Sequence, residues 1–274
     1  GRHISPLEIL SYRITGSFFF SWLYLWLTGK LGNVKAIFRS RKKILILLLR
    51  AVLLSGNWLI FIYGVFHDRL VATSLGYYIN PLLSIFLGMI ILKERLSKLQ
   101  FTAFILAVVG VTVYALSYGR LPWISISLAL SFALYGLFKK TLKVEASIGL
   151  GLEMLFILPI GLTIIVIFET QGWGHFTETA LSPLFFAGVG LVSLLPLLAF
   201  AHGTVRIPLS RVGFIQYLTP SLHLLTGVFV YGEPFSSIEG ISFGIIWIAL
   251  ALYSYSLVKK LGRQGYKGTA SREV

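Results

Sequence analysis

Residues 75–94 read LGYYINPLLSIFLGMIILKE, and residues 214–233 read FIQYLTPSLHLLTGVFVYGE. Laid over each other without a gap, with 75 on 214 and hence an offset of 139, they place Tyr78 on Tyr217, Pro81 on Pro220, Leu83 on Leu222, Gly88 on Gly227 and Glu94 on Glu233. A stretch written twice about half a chain apart marks an internal duplication. What that duplication builds depends on the medium in which the chain folds.

Composition identifies the medium. The chain is 56% hydrophobic and 12% charged, with a mean hydropathy of +0.84. Soluble domains carry about 25% charged residues, and a water-soluble fold of 274 residues could not hide this much apolar surface. The chain is therefore an integral membrane protein, with the lipid bilayer as its first partner. Cysteine is absent, which excludes disulfides and thiolate metal sites. A net charge of +14 would point to nucleic acid in a soluble protein. Here the basic residues lie mostly between apolar runs, as membrane orientation requires, so no nucleic-acid partner is expected.

Nine apolar runs can be drawn, at roughly 6–28, 44–66, 73–92, 99–118, 121–138, 148–168, 181–204, 211–231 and 238–258. Each approaches the ~20 residues that cross ~30 Å of hydrocarbon as a helix. Lipid offers no partner to an open strand edge, and the runs lack the alternation of barrel strands, so they are predicted to be helices. Basic residues alternate between connections. Lys30, Lys35, Arg39, Arg41, Lys42 and Lys43 are followed by Arg69 alone; Lys93, Arg95 and Lys98 by Arg120 alone; and Lys139, Lys140 and Lys143 by none in 169–180. Arg206 and Arg211 then precede a charge-poor 232–237, and the tail holds Lys259, Lys260, Arg263, Lys267 and Arg272. The positive-inside rule makes the rich connections cytoplasmic, which places the carboxyl terminus inside and Gly1 outside. Ser5-Pro6-Leu7-Glu8 has the pattern of a capping box with proline at the first helical position, and no signal-peptide pattern precedes it. The chain is thus expected to open just before a helix on the outer side.

Applied throughout, the offset of 139 lays 148–168 on 6–28, 181–204 on 44–66, 211–231 on 73–92 and 238–258 on 99–118, and it lays 121–138 on positions before Gly1. The predicted fold is an all-α polytopic membrane protein with nine transmembrane helices of a ten-helix bundle, built from two inverted five-helix repeats. The first repeat covers 1–120, with four helices and its first helix missing; the second covers 121–260, with five; 261–274 is a basic cytoplasmic tail. An odd number of helices per unit inverts the second copy, consistent with Glu94 in a basic connection and Glu233 in a charge-poor one. Inverted repeats are a signature of secondary transporters, because two pseudo-symmetric states supply outward-open and inward-open forms. Channels also duplicate, so a channel or a non-transporting scaffold remains the alternative.

Several stretches carry a family likeness: Ser55-Gly56-Asn57-Trp58-Leu59-Ile60-Phe61-Ile62; Ala72-Thr73-Ser74-Leu75-Gly76-Tyr77-Tyr78-Ile79-Asn80-Pro81-Leu82; Leu92-Lys93-Glu94-Arg95; Leu130-Ser131-Phe132-Ala133-Leu134-Tyr135-Gly136-Leu137; and Gly213-Phe214-Ile215-Gln216-Tyr217-Leu218-Thr219-Pro220 with Phe229-Val230-Tyr231-Gly232-Glu233. Over nearly its whole length the sequence resembles the EamA family of the drug/metabolite transporter superfamily, and within it the RarD-like branch. The resemblance implies a ten-helix bacterial inner-membrane permease of two inverted EamA repeats that exports or exchanges a small metabolite or drug. The branch is associated by name with chloramphenicol sensitivity. The chain departs from the family by lacking the first helix.

Polar groups inside apolar runs are costly, with a mid-membrane charge costing on the order of 3 kcal/mol on insertion scales. Arg13, Arg50 and Glu153 are the charges in the interior of runs, away from their first residues. Arg13, roughly 12 Å along its helix from Ser5, could hold a substrate carboxylate or phosphate, or could snorkel outward; its place resembles the RarD-like pattern. Glu153 falls within one residue of Arg13 in the repeat; it could carry a coupling proton, pair with a cationic substrate, or form a structural pair. Arg50 is expected to snorkel to the inner face and is set aside.

Asn57 and Trp58 sit mid-run, as cavity wall or as packing. Pro81 and Pro220 predict equivalent kinks, each preceded by a polar residue, Asn80 or Thr219. Tyr77, Tyr78, Gln216 and Tyr217 lie one turn before them and His223 lies one turn after Pro220, as candidates for gating or substrate contact. His202 and Tyr63 are weaker candidates. Glu94 and Glu233 are expected to cap the helices that follow them. The aromatic and amide groups near the kinks suit a small, partly apolar solute. No GxxxxGK[ST] loop is present, and no two of His3, His67, His175, His202 and His223 share a helix at metal spacing. An enzyme is therefore not expected, nor is a cofactor or metal.

Overall fold

The computed structural model describes residues 4–67, 69–117, 123–142, 144–176, 178–231 and 236–270, with side chains for all of these except 70, 71, 223, 227, 231 and 260–270. Among the residues singled out above, Gly1, His3, Arg120, Lys143, Gly232, Glu233 and Arg272 lie outside the described residues, as do the side chains of His223, Lys260, Arg263 and Lys267.

The described chain is helical: α1 Pro6–Leu27, a short 3₁₀ turn Leu31–Asn33, α2 Val34–Phe38, α3 Arg41–Phe66, α4 Leu70–Ile90, α5 Lys98–Ser117, α6 Trp123–Thr141, α7 Ala146–Thr170, α8 Ser182–Arg206, α9 Leu209–Gln216, α10 Leu218–Tyr231 and α11 Ser237–Ala270. Among the described residues, six segments are long and apolar enough to cross a membrane: Arg41–Phe66, Ala72–Ile90, Lys98–Ser117, Ala146–Thr170, Ser182–Arg206 and Ser237–Lys259. The other three runs also fold as helix but are diluted or broken. α1 carries Glu8 and Arg13, α6 ends in Lys139 and Lys140, and the run at 211–231 is divided at Tyr217 into α9 and α10. Alone, the 14 residues of α10 span only about 21 Å.

Helix starts recur at the offset of 139: Pro6 and Ala146, Arg41 and Ser182, Leu70 and Leu209, Lys98 and Ser237, each within about two residues. The two halves diverge at their prolines. α4 runs unbroken through Pro81, whereas its counterpart stops at Gln216, four residues before Pro220, where the missing proline N–H leaves the ladder open.

Two compact units are formed, and each takes helices from both halves of the sequence: Gly1–Thr73 with Leu130–Leu209, and Ser74–Ala129 with Ser210–Val274. In the first unit, α1 runs antiparallel to α7. The Trp22 indole donates to the Gly151 carbonyl (3.0 Å), and Tyr12 OH donates to Glu169 Oε1 (2.9 Å) at the other end. α1 runs parallel to α8, stacking Tyr12 on Phe186 at 3.9 Å and sending Ser17 Oγ to the Gly190 carbonyl (3.1 Å). Gly16 and Gly190 meet backbone to backbone: a Cβ on Gly190 would lie 2.5 Å from the Gly16 Cα. Without a hydrophobic driving force between helices in lipid, such close approaches of small residues supply the packing.

The second unit repeats the device. α5 and α11 are antiparallel, with Ser97 Oγ and Ser256 Oγ 3.0 Å apart and Gly110 facing Ser242 and Ile246. α9 lies against α4 at Gly213, where a Cβ would come 2.7 Å from the Pro81 carbonyl oxygen. After α4, Lys93 takes a left-handed φ of 55°, which turns Glu94 back over Gly88. The Glu94 carboxylate then accepts from the Ser210 N–H (2.9 Å). Glu94 therefore caps α9. α5 has its own cap, in which Ser97 N–H donates to Gln100 Oε1 and Gln100 N–H to Ser97 Oγ.

Apolar residues elsewhere face outward, as on α8 at Leu184, Val192 and Leu195, and form the surface that lipid covers. Trp26, Trp123 and Trp173 are exposed at helix ends, the depth that tryptophan prefers.

Two outcomes test this packing. Gly190→Ala forces α1 and α8 apart and should lower stability by about 1–3 kcal/mol, by thermal unfolding in detergent. Gly188→Ala, where a Cβ meets nothing within 4 Å, should stay within about 0.5 kcal/mol of wild type. At the basic end of α1, Lys30 pairs with Glu145 at the start of α7. Hydrogen bonding to Glu145 raises the Lys30 pKa, and hydrogen bonding to Lys30 lowers that of Glu145. A depressed carboxylate loses its contribution as pH falls through its folded value, and a raised amine loses its own as pH rises through its folded value. The bridge should therefore stabilise between about pH 4.5 and about pH 10.4. Both groups are partly solvated, so Glu145→Gln should cost less than about 1 kcal/mol at pH 7, and the cost should vanish as pH falls through the depressed pKa of Glu145.

Candidate functional site

The first unit is organised around a carboxylate. Glu153, two turns into α7, is fully buried. Its Oε1 pairs with an Arg50 guanidinium nitrogen from α3 and lies 3.3 Å from Lys139 Nζ of α6; its Oε2 accepts from Tyr135 OH at 2.8 Å. Arg50, Lys139, Tyr135 and Glu153 are each no more than 2% exposed. Two basic groups thus share one carboxylate, and among the described residues Arg50 Nε is buried without a hydrogen-bond partner.

The local sequence explains the geometry. Tyr135 and Lys139 are four residues apart, on one face of α6. The Lys139 side-chain nitrogen lies 5.0 Å from the tyrosine ring centroid, and Phe200 of α8 is stacked with that ring at 6.2 Å between centroids. Opposite Arg50 stands Gly149, where a Cβ would lie 3.0 Å from Arg50 Nη2, so the absence of a side chain admits the guanidinium. Leu47, Ala51, Leu54, Leu150 and Met154 are buried along the same stretches of α3 and α7.

A second station lies farther along α3. Arg13 of α1 places its guanidinium carbon 4.1 Å from the centroid of the buried Trp58 ring, a cation–π contact. Next to it, the Asn57 side-chain amide donates to Ser131 Oγ of α6 at 2.9 Å. Arg50 and Trp58 are eight residues apart, so the stations are about 12 Å apart along the helix. On α6 the residues Ser131, Tyr135 and Lys139 recur every four positions and form a polar stripe between them.

At the end of α1 opposite Lys30, two carboxylates tie down the α7–α8 connection. Glu8, fully buried, accepts from the His175 backbone N–H at 2.7 Å and meets His175 Nδ1 at 2.8 Å. Glu169 accepts from the Phe176 N–H (3.3 Å) as well as from Tyr12. The expected capping box is thus half realised: Ser5 Oγ accepts from Leu7 N–H at 3.3 Å, but Glu8 reaches the connection instead of its own helix end.

The residues expected from sequence separate into two groups. Arg13, Asn57, Trp58 and Glu153 belong to the first unit, where Arg13 joins Trp58 and Glu153 joins Arg50 and Lys139. Arg50 does not snorkel: it is 2% exposed, because a buried carboxylate stands opposite it. Tyr77, Tyr78, Asn80, Pro81, Gln216, Tyr217, Pro220 and the backbone of His223 belong to the second unit. Tyr78 is core, packed on Tyr114 and Phe243, and Asn80 accepts from Ser84 Oγ on its own helix. Gln216 Oε1 and the Tyr217 hydroxyl, at the α9–α10 break, are buried with no hydrogen-bond partner. His202 bonds its own helix through Leu198 O, and Tyr63 stacks on His67. Lys139 and Tyr135 join the cluster without having stood out in the sequence: their four-residue spacing is visible there, but Lys139 reads as one more basic residue of a cytoplasmic connection.

Charges buried between the helices of a polytopic protein are a feature of many membrane transport proteins, and comparison with known proteins identifies the family. Residues 1–116 match the EamA-like transporter family. Over 260 residues the chain is 44% identical to the uncharacterized transporter YojE of Bacillus subtilis (strain 168), covering 93% of this chain and 87% of that protein. It is 42% identical over 247 residues to Protein RarD of Salmonella typhi, covering 90% and 84%. A protein of solved crystal structure shares the fold at a TM-score of 0.68 and 16% identity, covering 92% of this chain and 88% of that one. The chain belongs to the EamA-like transporter family and has RarD proteins among its relatives.

The buried trio makes a direct prediction. Glu153→Gln leaves two cations facing each other without a counter-charge and should lower stability by about 3–5 kcal/mol, read from thermal unfolding in detergent.

Proposed function

We propose that the protein is a secondary transporter of the bacterial inner membrane, exporting or exchanging a small metabolite or drug by alternating access between two inverted repeats. The repeats are 1–120 and 121–260, with 261–274 as a basic cytoplasmic tail. The observation that carries this reading is the sealed Arg50–Glu153–Lys139 cluster. Well-packed apolar residues would hold these helices at least as well as a buried ion pair, so charges retained in the hydrocarbon call for a use. The cluster also joins the halves, with Arg50 from the first and Lys139 and Glu153 from the second.

Helix pairing supports the inverted arrangement. Within the units, α1 and α7, α4 and α9, and α5 and α11 are counterparts at the repeat offset, and their contacts run antiparallel. The Lys30 end of α1 meets the Glu145 end of α7, and the Ser97 end of α5 meets the Ser256 end of α11, so basic ends lie with basic ends. The positive-inside rule then places the carboxyl terminus in the cytoplasm. Arg13 over Trp58, with the Asn57–Ser131 bond beside it, supplies a cationic and aromatic contact suited to a small, partly apolar solute.

Counterflow in proteoliposomes tests the proposal. Labelled amino acids, aromatic acids and chloramphenicol should include at least one solute whose uptake saturates and is accelerated by unlabelled solute inside. Arg13→Ala should reduce that uptake at least tenfold while leaving the protein folded. Flux that rises linearly with concentration and ignores internal solute would indicate a channel, and no flux from folded protein would indicate a scaffold.

A further inference from the structure

We infer that the Arg50–Lys139 pair is a binding site for the anionic group of the transported solute, a carboxylate or phosphate, with Glu153 as the internal anion that occupies the site at rest. The inference rests on the transporter reading and specifies its substrate class.

The charge count carries it. Arg50 and Lys139 together face a single carboxylate, and all three side chains are sealed from solvent. One carboxylate cannot fill the donor capacity of a guanidinium and an ammonium: Arg50 Nε remains buried without a partner. Glu153 in turn is held from three directions, by Arg50, Lys139 and Tyr135, so the surplus in the cluster is of donors and positive charge. A buried excess charge is costly and favours an added anion. The planar guanidinium suits a carboxylate or phosphate bidentately, with the lysine as a second point charge. The site is sealed from solvent with Glu153 in it, so binding requires the carboxylate to yield. The Ser131–Tyr135–Lys139 stripe of α6 leads to the cluster from the Arg13–Trp58 station, which suits a solute carrying its anionic group ahead of an apolar or aromatic body.

Charge balance has one other solution, a neutral Lys139, since lysine can release its proton where arginine cannot. On that alternative no added anion is bound.

The test is equilibrium binding to purified protein in detergent at fixed ionic strength, with labelled acetate, benzoate and inorganic phosphate as probes and benzamide as the neutral competitor. Wild type should bind at least one of the three saturably, and benzamide should not displace it. Lys139→Gln, which keeps the Arg50–Glu153 pair, should weaken binding at least tenfold. Lys140→Gln removes an equal charge from a side chain that bonds the Ile207 carbonyl, and should leave binding within twofold. Glu153→Gln, if it folds, should bind the anion more tightly than wild type, because the internal competitor is gone; a merely structural role for the cluster predicts no such gain. The inference is overturned if wild type binds none of the probes, if benzamide competes equally, or if the two lysine variants weaken binding alike. Anion binding without counterflow would remove the carrier reading and keep the site; counterflow of a solute without anion binding would do the reverse.

Discussion

A carboxylate deep in a helical membrane bundle needs cations brought to it, and the first unit is built to bring them to Glu153. α3 contributes Arg50, α6 contributes Lys139 and Tyr135, and α7 opens a gap at Gly149 for the guanidinium. α8 closes the site with Phe200 on the tyrosine ring. Each helix is thereby fixed in rotation, since turning any of α3, α6 or α7 by one residue would separate a charge from its partner. Desolvating such a group costs more than burying apolar side chains of equal volume, so the arrangement specifies position more than it adds stability.

Around that centre the packing uses small residues at crossings and polar groups at helix ends. Gly16 on Gly190 and Gly161 against Ile14 let α1 approach two neighbours at once, while Glu8 and Glu169 hold the α7–α8 connection at one end of α1 and Lys30–Glu145 ties the other. In the second unit, Gly213 lies on the Pro81 carbonyl and Glu94 caps α9. There the counterpart helices differ most: α4 continues through its proline while α9 and α10 part at Tyr217, where Gln216 Oε1 and the Tyr217 hydroxyl are buried without partners.

Much of this was legible in the sequence because it is local. Within the described residues the apolar runs fold as helix, with 148–168 on α7, since hydropathy over twenty residues is a property of the segment alone. The polar features were harder, because each depends on a distant partner. Arg50 read as snorkelling, since nothing in its own run shows that Glu153 will stand opposite. Glu8 and Glu94 have the spacing of local caps, yet both are drawn to other segments, His175 and Ser210. The matched prolines predicted equivalent kinks, but the two helices meet different surroundings. Tyr78 and Asn80 stand out in the sequence as polar groups near a proline, while the aromatic cluster around Tyr78 and the bond from Ser84 to Asn80 depend on the fold.

The central claim is that these buried charges are kept for transport and not for folding. The direct test replaces the whole cluster by apolar side chains of similar length, Arg50→Met and Lys139→Met with Glu153→Met, and measures thermal unfolding and solute counterflow on the same preparation. The account predicts a triple variant at least as stable as wild type, whose counterflow is nevertheless abolished. A triple variant that folds and transports at the wild-type rate would contradict it, and would make the cluster a means of assembling helices and nothing more.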